Sequence, residues 1–231
     1  MRLGIGRGRY RVEPGLYSLG QPGKASPVFA SANYKMSFDA LRSSLRGMDA
    51  WILALDTKGV NVWCAAGKGS FGTAELVRSI EASGLREAVD HREIVVPQLG
   101  APGVAAHEVR GATGFSVRYG PVRARDIPAW LANGKRKTEA MKRVRFGLRD
   151  RLALAPLELI QSWPLLAGAT ALALAPELFG AGEKAPSLGY RLLSMPGAVA
   201  AGALLVPALL PLLPFKAFAL KGAALGAAWS F

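Results

Sequence analysis

From Leu192 to Phe215 the chain carries no charged residue, and from Leu152 to Pro176 it carries only Glu158. No other feature limits the possible folds as strongly. Each stretch exceeds the roughly 20 helical residues needed to cross a hydrocarbon layer of about 30 Å. Neither offers the polar stripe of a helix that faces water. The competing reading, two helices inside a soluble protein, has to hide every face of both. Membrane spans over about 152–176 and 192–215 are therefore expected. Pro196, Pro207, Pro211 and Pro214 should kink the second, which neighbouring helices can accommodate. A third apolar stretch, Ala217–Phe231, is too short to span and carries Lys221.

The rest of the chain is different in kind. Residues 1–151 hold 25 Lys+Arg and 13 Asp+Glu, which accounts for +12 of the formal net charge of +13. About 150 residues suffice to bury a core without disulfides. Residues 135–151 alone contain eight basic and two acidic side chains. Beside a first membrane span, that bias holds the preceding domain in the cytoplasm. It also suits anionic lipid head groups, with a nucleic-acid surface as the rival reading. Residues 1–12 are rich in arginine and glycine and lack the apolar segment of a secretory signal. The expected organisation is a cytoplasmic domain over 1–134, a basic juxtamembrane segment over 135–151 and a membrane region over 152–231.

Within the first domain, residues 1–30 are rich in Gly, Pro and Arg and read as irregular. Phe38–Leu45 spaces its apolar residues as a short helix face. Ala50–Leu55 is a near-continuous apolar run ending at Asp56, as in a strand buried on both faces. A turn at Lys58-Gly59 leads to Val60–Trp63, a candidate strand. Thr73–Ser83 reads as a helix with Thr73 as N-cap and Gly84 at its end. Glu93–Val96 and Phe115–Tyr119 read as strands, Gly103–Val109 as a short helix, and Asp126–Leu131 as a helix capped by Asp126. Strands alternating with helices predict an α/β, Rossmann-like layered domain with a largely parallel sheet. Ligands of such sheets sit at the carboxyl ends of the strands, where Cys64 and the loops around Leu99–Gly103 and Gly120–Ala124 should gather.

Cys64 is the single cysteine. It can form neither an internal disulfide nor a multi-thiolate metal site. A nucleophile, one soft ligand to a metal-bearing cofactor, or a small core residue remain open. Its place ahead of a helix and near Lys68 favours a reactive thiol. Gly67-Lys68-Gly69-Ser70-Phe71-Gly72 satisfies the G-x-G-x-x-G pattern of dinucleotide sites, but Glu93 begins the next strand rather than ending it. His91 and His107 lack a partner motif and read as hydrogen-bonded loop or surface residues. Glu158 is either an intramembrane functional group or a snorkelling side chain near the cytoplasmic end.

Asn61-Val62-Trp63-Cys64-Ala65-Ala66-Gly67-Lys68-Gly69 resembles the cap-helix signature of the HgcA family, the membrane corrinoid proteins of microbial mercury methylation. That family is related to the corrinoid-binding domain of the corrinoid iron–sulfur protein large subunit. Pro14–Tyr17, Ser31–Asp39, Leu55–Gly59, Pro97–His107 and Gly120–Ala124 are similar as well, so the resemblance covers about residues 10–160. Ser31 stands where the family commonly has Thr, which keeps the hydroxyl. The family also carries more spans.

The resemblance implies a corrinoid-dependent methyltransferase that passes a methyl group, carbanion-like, from cobalt to Hg(II), giving methylmercury. The cofactor would be a cobalamin-type corrinoid in its base-off form, with the Cys64 thiolate as lower axial cobalt ligand. Asn61, Val62, Trp63, Ala65, Ala66, Gly67, Lys68 and Gly69 would line or shield the ring, and Ser31 and Ala124 match family positions near it. One cysteine cannot hold an iron–sulfur cluster, so electrons would come from a ferredoxin-like partner with two [4Fe–4S] clusters. The methyl donor would be of folate type or an upstream methyltransferase. The implied location is the inner cell membrane. A corrinoid methyl carrier of one-carbon metabolism and a membrane-anchored dinucleotide-binding oxidoreductase are the alternatives.

Overall fold

Alternate residues of three consecutive apolar strands point to opposite faces, and helices cover both. The computed structural model describes residues 10–230; the expectations for residues 1–9 and Phe231 lie outside it. The chain divides into two compact units, one ending at Val144 and one starting at Arg145.

The first unit is built on five strands: β1 (Gly15–Leu19), β2 (Val28–Ala32), β3 (Ala50–Leu55), β4 (Glu93–Val96) and β5 (Ser116–Tyr119). Their order across the sheet is β1-β3-β2-β4-β5. Four run parallel, and β1 closes one edge antiparallel to β3. The irregular approach expected over residues 1–30 is thus corrected, since it holds two strands. β2 (Val-Phe-Ala-Ser-Ala) escaped notice because its small residues give no alternation; all five are buried. Burial on both faces, not polarity, makes it a strand.

One face of the sheet packs α1 (Lys35–Ser44) and α6 (Ile127–Ala132). There Phe29, Ile52, Ala54 and Val95 meet Phe38, Leu41, Leu45, Ile127 and Trp130. The other face packs α2 (Val62–Gly67), α3 (Thr73–Ala82), α4 (Leu85–Ala88) and α5 (Ala106–Thr113) against Val28, Ala30, Leu53, Leu55, Ile94 and Val96. The chain leaves β2 for α1 on one face and leaves β3 for α2 and α3 on the other. β2 and β4 therefore flank the point where the winding reverses.

Val60–Trp63 is no strand. Asn61 caps a helix there, and Val62, Ala65 and Ala66 face inward at helical spacing. Strand-forming Val62 and Trp63 hid the period. Two caps also differ from expectation. Gly72, not Thr73, is the N-cap of α3, and Thr73 Oγ1 instead accepts the Ala105 N–H at 2.8 Å. Asp126 stands at the N-cap of α6 without a capping side-chain hydrogen bond.

The basic segment begins inside this unit. Lys135 pairs with Glu93, Lys137 Nζ donates to Gln98, and Val122 N–H donates to the carbonyl of Met141 ahead of the end of α7 (Glu139–Lys142).

The second unit comprises α8 (Leu148–Leu152), α9 (Ala155–Gln161), α10 (Trp163–Leu178), α11 (Leu188–Leu209) and α12 (Phe218–Ser230). Among the described residues, α11 is the one helix long and apolar enough to cross a membrane by itself, while Leu148–Gln161 and α10 reach that test only together, bent by 58°. The continuous helix expected over 152–176 is therefore broken at Ser162. Pro164 lacks the N–H that would continue the ladder, and a new helix starts around it. Pro196 and Pro207 sit within α11. Two guanidinium groups are buried. Arg151 donates to the Ala208 carbonyl at 2.8 Å, capping the end of α11, and Arg191 donates to Ala173 O at 2.7 Å and to Glu177.

Candidate functional site

At the carboxyl ends of β2, β4 and β5 the sheet opens into an apolar cleft of about 390 Å³. This is the crevice that a reversal of winding leaves between two neighbouring strands. Its floor is Phe29, Ala30 and Ser31 of β2 with Val95 of β4. One wall is Ser37, Ala40 and Leu41 of α1 with Ile127; the other is Asn61, Val62 and Trp63. Pro97, Leu99, Gly120, Pro121, Val122 and Ala124 close the rim.

Ser31 and Ala124, more than ninety positions apart, thus meet the turn that carries Cys64. Ser31 is buried, and its hydroxyl donates back to the Ala32 carbonyl at 3.2 Å. Trp63 is 61% exposed. Cys64 does not line the cleft itself but is exposed one residue beyond the lining residue Trp63. Asn61 links the two. Its Oδ1 accepts the Cys64 N–H at 3.0 Å, and its Nδ2 lies 3.6 Å from Sγ. An amide so placed donates to the sulfur while capping the helix that carries it.

The other expected residues divide. Ala65 and Ala66 face the core, while Gly67, Lys68 and Gly69 are exposed. Close packing explains the small residues here. A Cβ on Gly103 would stand 2.2 Å from the Phe71 carbonyl and 3.2 Å from Ala66 Cα, so the loop after β4 braces α2 directly. Gly67–Gly72 joins one helix to another, and Gly69 turns it with φ +81°. The strand–turn–helix context of a dinucleotide fingerprint is therefore missing. Neither His91, whose Nε2 lies 2.8 Å from Ser26 O, nor exposed His107 lines the cleft. No group of three or more His, Cys, Asp or Glu able to hold a metal ion occurs among the described residues. Glu158 borders an apolar cavity in the second unit with Gly202, Val206 and Phe218.

The walls from α1 and α6 escaped the sequence reading, since Ala40, Leu41 and Ile127 look like core residues. Asn33 and Thr57 fall in the similar segments Ser31–Asp39 and Leu55–Gly59 but had no role assigned, and both are buried. Nearby, Lys58 holds the Asp56 carboxyl below the usual carboxylate range, outweighing partial burial.

Comparison with known proteins adds a family to this geometry. The family model described as CO dehydrogenase/acetyl-CoA synthase delta subunit matches residues 7–131. The chain is similar to the acetyl-CoA decarbonylase/synthase complex subunit gamma of Archaeoglobus fulgidus, 33% identical over 123 residues. It is 33% identical over 123 residues to the subunit of that name from Methanopyrus kandleri. Subunit gamma 1 of Methanosarcina thermophila is 31% identical over 124 residues. Each match covers 52% of this chain and 26% of the relative, so the chain spans about a quarter of the length of these proteins.

Proposed function

Since this chain belongs to the CO dehydrogenase/acetyl-CoA synthase delta subunit family, we propose that it is a corrinoid protein of methyl transfer, with the Cys64 thiolate as lower ligand to cobalt. The observation that carries this reading is the cleft at the switch point, which gathers Ser31, Asn61, Val62, Trp63 and Ala124 beside an exposed thiol. A corrinoid is a flat macrocycle edged with amide side chains, and the residues fit one. The lining is mostly apolar, with small residues at Ala30, Ser31, Ala40, Gly120 and Ala124, the thiol is a soft donor on an accessible helix, and that helix is braced from behind by Gly103.

When bound, the cofactor supplies the metal that carries the methyl group. The protein supplies the rest. Cys64 would hold the metal, and as a soft, strongly donating sulfur ligand it would favour transfer of a carbanion-like methyl. Asn61 orients the sulfur, and Trp63 beside it lines the cleft. Such a carbanion-like methyl suits Hg(II), a soft electrophile. The Asn61–Gly69 signature and the apolar helices that follow support this acceptor over one-carbon metabolism. With one cysteine the chain cannot hold an iron–sulfur cluster, so reduction falls to a separate ferredoxin-like protein. Methyl comes from a folate-type donor or an upstream methyltransferase. The apolar helices are read as inner-membrane spans, with the basic 135–151 segment keeping the α/β unit cytoplasmic.

The test is Cys64→Ala and Cys64→His in the full chain loaded with cobalamin. Cys64→Ala should change the visible spectrum and abolish methylmercury formation, and Cys64→His should keep ligation but release methyl poorly. A wild-type spectrum and yield in Cys64→Ala would overturn the ligand role. A wild-type chain that demethylates readily yet never to Hg(II) would leave the one-carbon carrier.

A further inference from the structure

Outside the cleft, one buried amide ties down the turn that leads to Asn61. Asn33 follows β2 and is 1% exposed. Its Oδ1 accepts the backbone N–H of Thr57 at 3.1 Å and of Gly59 at 3.0 Å. Its Nδ2 donates to Asp56 Oδ1 at 3.2 Å. Its own N–H donates to the Leu55 carbonyl at 3.0 Å, tying the ends of β2 and β3 together. The same loop is held from below. Glu75 Oε1 on α3 accepts the Asp56 N–H at 2.9 Å, and the buried Thr57 hydroxyl donates to the Val60 carbonyl at 2.7 Å.

These bonds fix a turn that a free chain would not hold. Lys58 has φ +57° and Gly59 φ +72°, two left-handed residues in a row, and Lys58 has a Cβ to accommodate. Gly59 is two residues before Asn61, the cap that touches both the N–H and the sulfur of Cys64. A one-residue change in that turn would re-aim the whole helix start.

We propose that Asn33 is a positioning residue for Cys64, acting through the 56–60 turn and Asn61 rather than by contact with sulfur or ligand. A buried amide that serves several polar groups of one turn has no apolar substitute, since without it the half-buried Gly59 N–H loses its acceptor and the Thr57 N–H keeps only the Leu55 carbonyl. The proposal rests on the reading of Cys64 as the working thiol, but its test needs no cofactor.

In the corrinoid-free full chain, the rate of Cys64 alkylation by iodoacetamide is compared for wild type, Asn33→Ala, Asn61→Ala and the double variant. Loss of the oriented amide should slow alkylation about three- to tenfold in each single variant, because the sulfur loses the hydrogen bond and the helix cap that hold it in place. The double variant should react no more slowly than Asn61→Ala, because the two act in series. Thr57→Val, which removes the hydroxyl 2.9 Å from Asn33 Oδ1 but leaves Asn33 in place, should slow the reaction in the same direction by about twofold; it carries the test if Asn33→Ala does not fold. Rates equal to wild type, or full additivity of the two losses, would overturn the positioning role. Failure of wild-type chain to take up cobalamin would sink the corrinoid reading instead and leave these rates untouched.

Discussion

β3 and α10 are written mostly in alanine and leucine, yet they dispose of them in opposite ways. In β3 Leu53 and Leu55 are 0% exposed on the face covered by α2 to α5, and Ile52 and Ala54 are buried on the opposite face. In α10 Leu165 and Leu172 are 67% and 66% exposed, and only Ala173 is buried. The inversion extends to polar groups. The α/β unit keeps most of its charges outside, whereas the second unit buries the guanidinium groups of Arg151 and Arg191 on backbone carbonyls. One unit excludes water from its centre. The other is arranged as though an apolar medium lay outside it, where small residues and buried polar bonds hold helices together.

Phe71→Ala against Leu172→Ala gives the sharpest contrast. Phe71 is fully buried at the join between α2 and α3, and its ring fills the space where a side chain on Gly100 would go. Truncation should cost the α/β unit about 3–5 kcal/mol. Leu172→Ala removes a side chain with little to pack against and should stay within about 0.5 kcal/mol. Amide exchange of β2–β4 and of α10 in the detergent-solubilised full chain reads the two units separately. Equal costs would mean that the second unit has a core of the ordinary kind.

Arg191→Ala tests the other half of the comparison. The Arg191 guanidinium is buried, and its loss strands the carbonyls of Ala173 and Pro186 and leaves Glu177 without its cation. Exchange protection in α10 and α11 should fall by about 2–3 kcal/mol, with β2–β4 unaffected. A neutral result would show that this polar contact does not hold the helices.

How legible each unit was follows from the same contrast. Uncharged length is visible in any sequence, so the apolar region was plain, but the break at Ser162 depended on Pro164 ending one hydrogen-bond ladder. In the α/β unit β3 was legible, because six apolar residues in a row end at Asp56. β2 was not, since Ala30, Ser31 and Ala32 owe their strand to neighbours on both sides rather than to propensity. Helix α2 was misread because Trp63 and Val62 favour strands while Asn61, a residue earlier, caps a helix. Cys64 stood out by being alone. Asn33 could not, since its importance comes from a turn 23 to 26 positions away in the chain.

The smallest effect concerns Glu93, where the basic segment meets the α/β unit. Burial pushes its carboxyl up, but Lys135 and Arg118 together outweigh this and hold it below its ordinary value of 4.5. A carboxyl lowered in the fold contributes stability above its unfolded value and loses it as pH falls through the lower folded one. Glu93→Gln should therefore cost at most about 1 kcal/mol at neutral pH, since both partners are partly exposed. As pH falls below 4.5 and through the lower folded value, the gap between variant and wild type should close, because wild type then loses the same ion pairs. Protection measured between pH 7 and 3 should converge in β4 and β5 and stay equal throughout in α10 and α11. A gap that persists in acid would mean that Glu93 works by packing, and that the basic segment is not anchored there by charge.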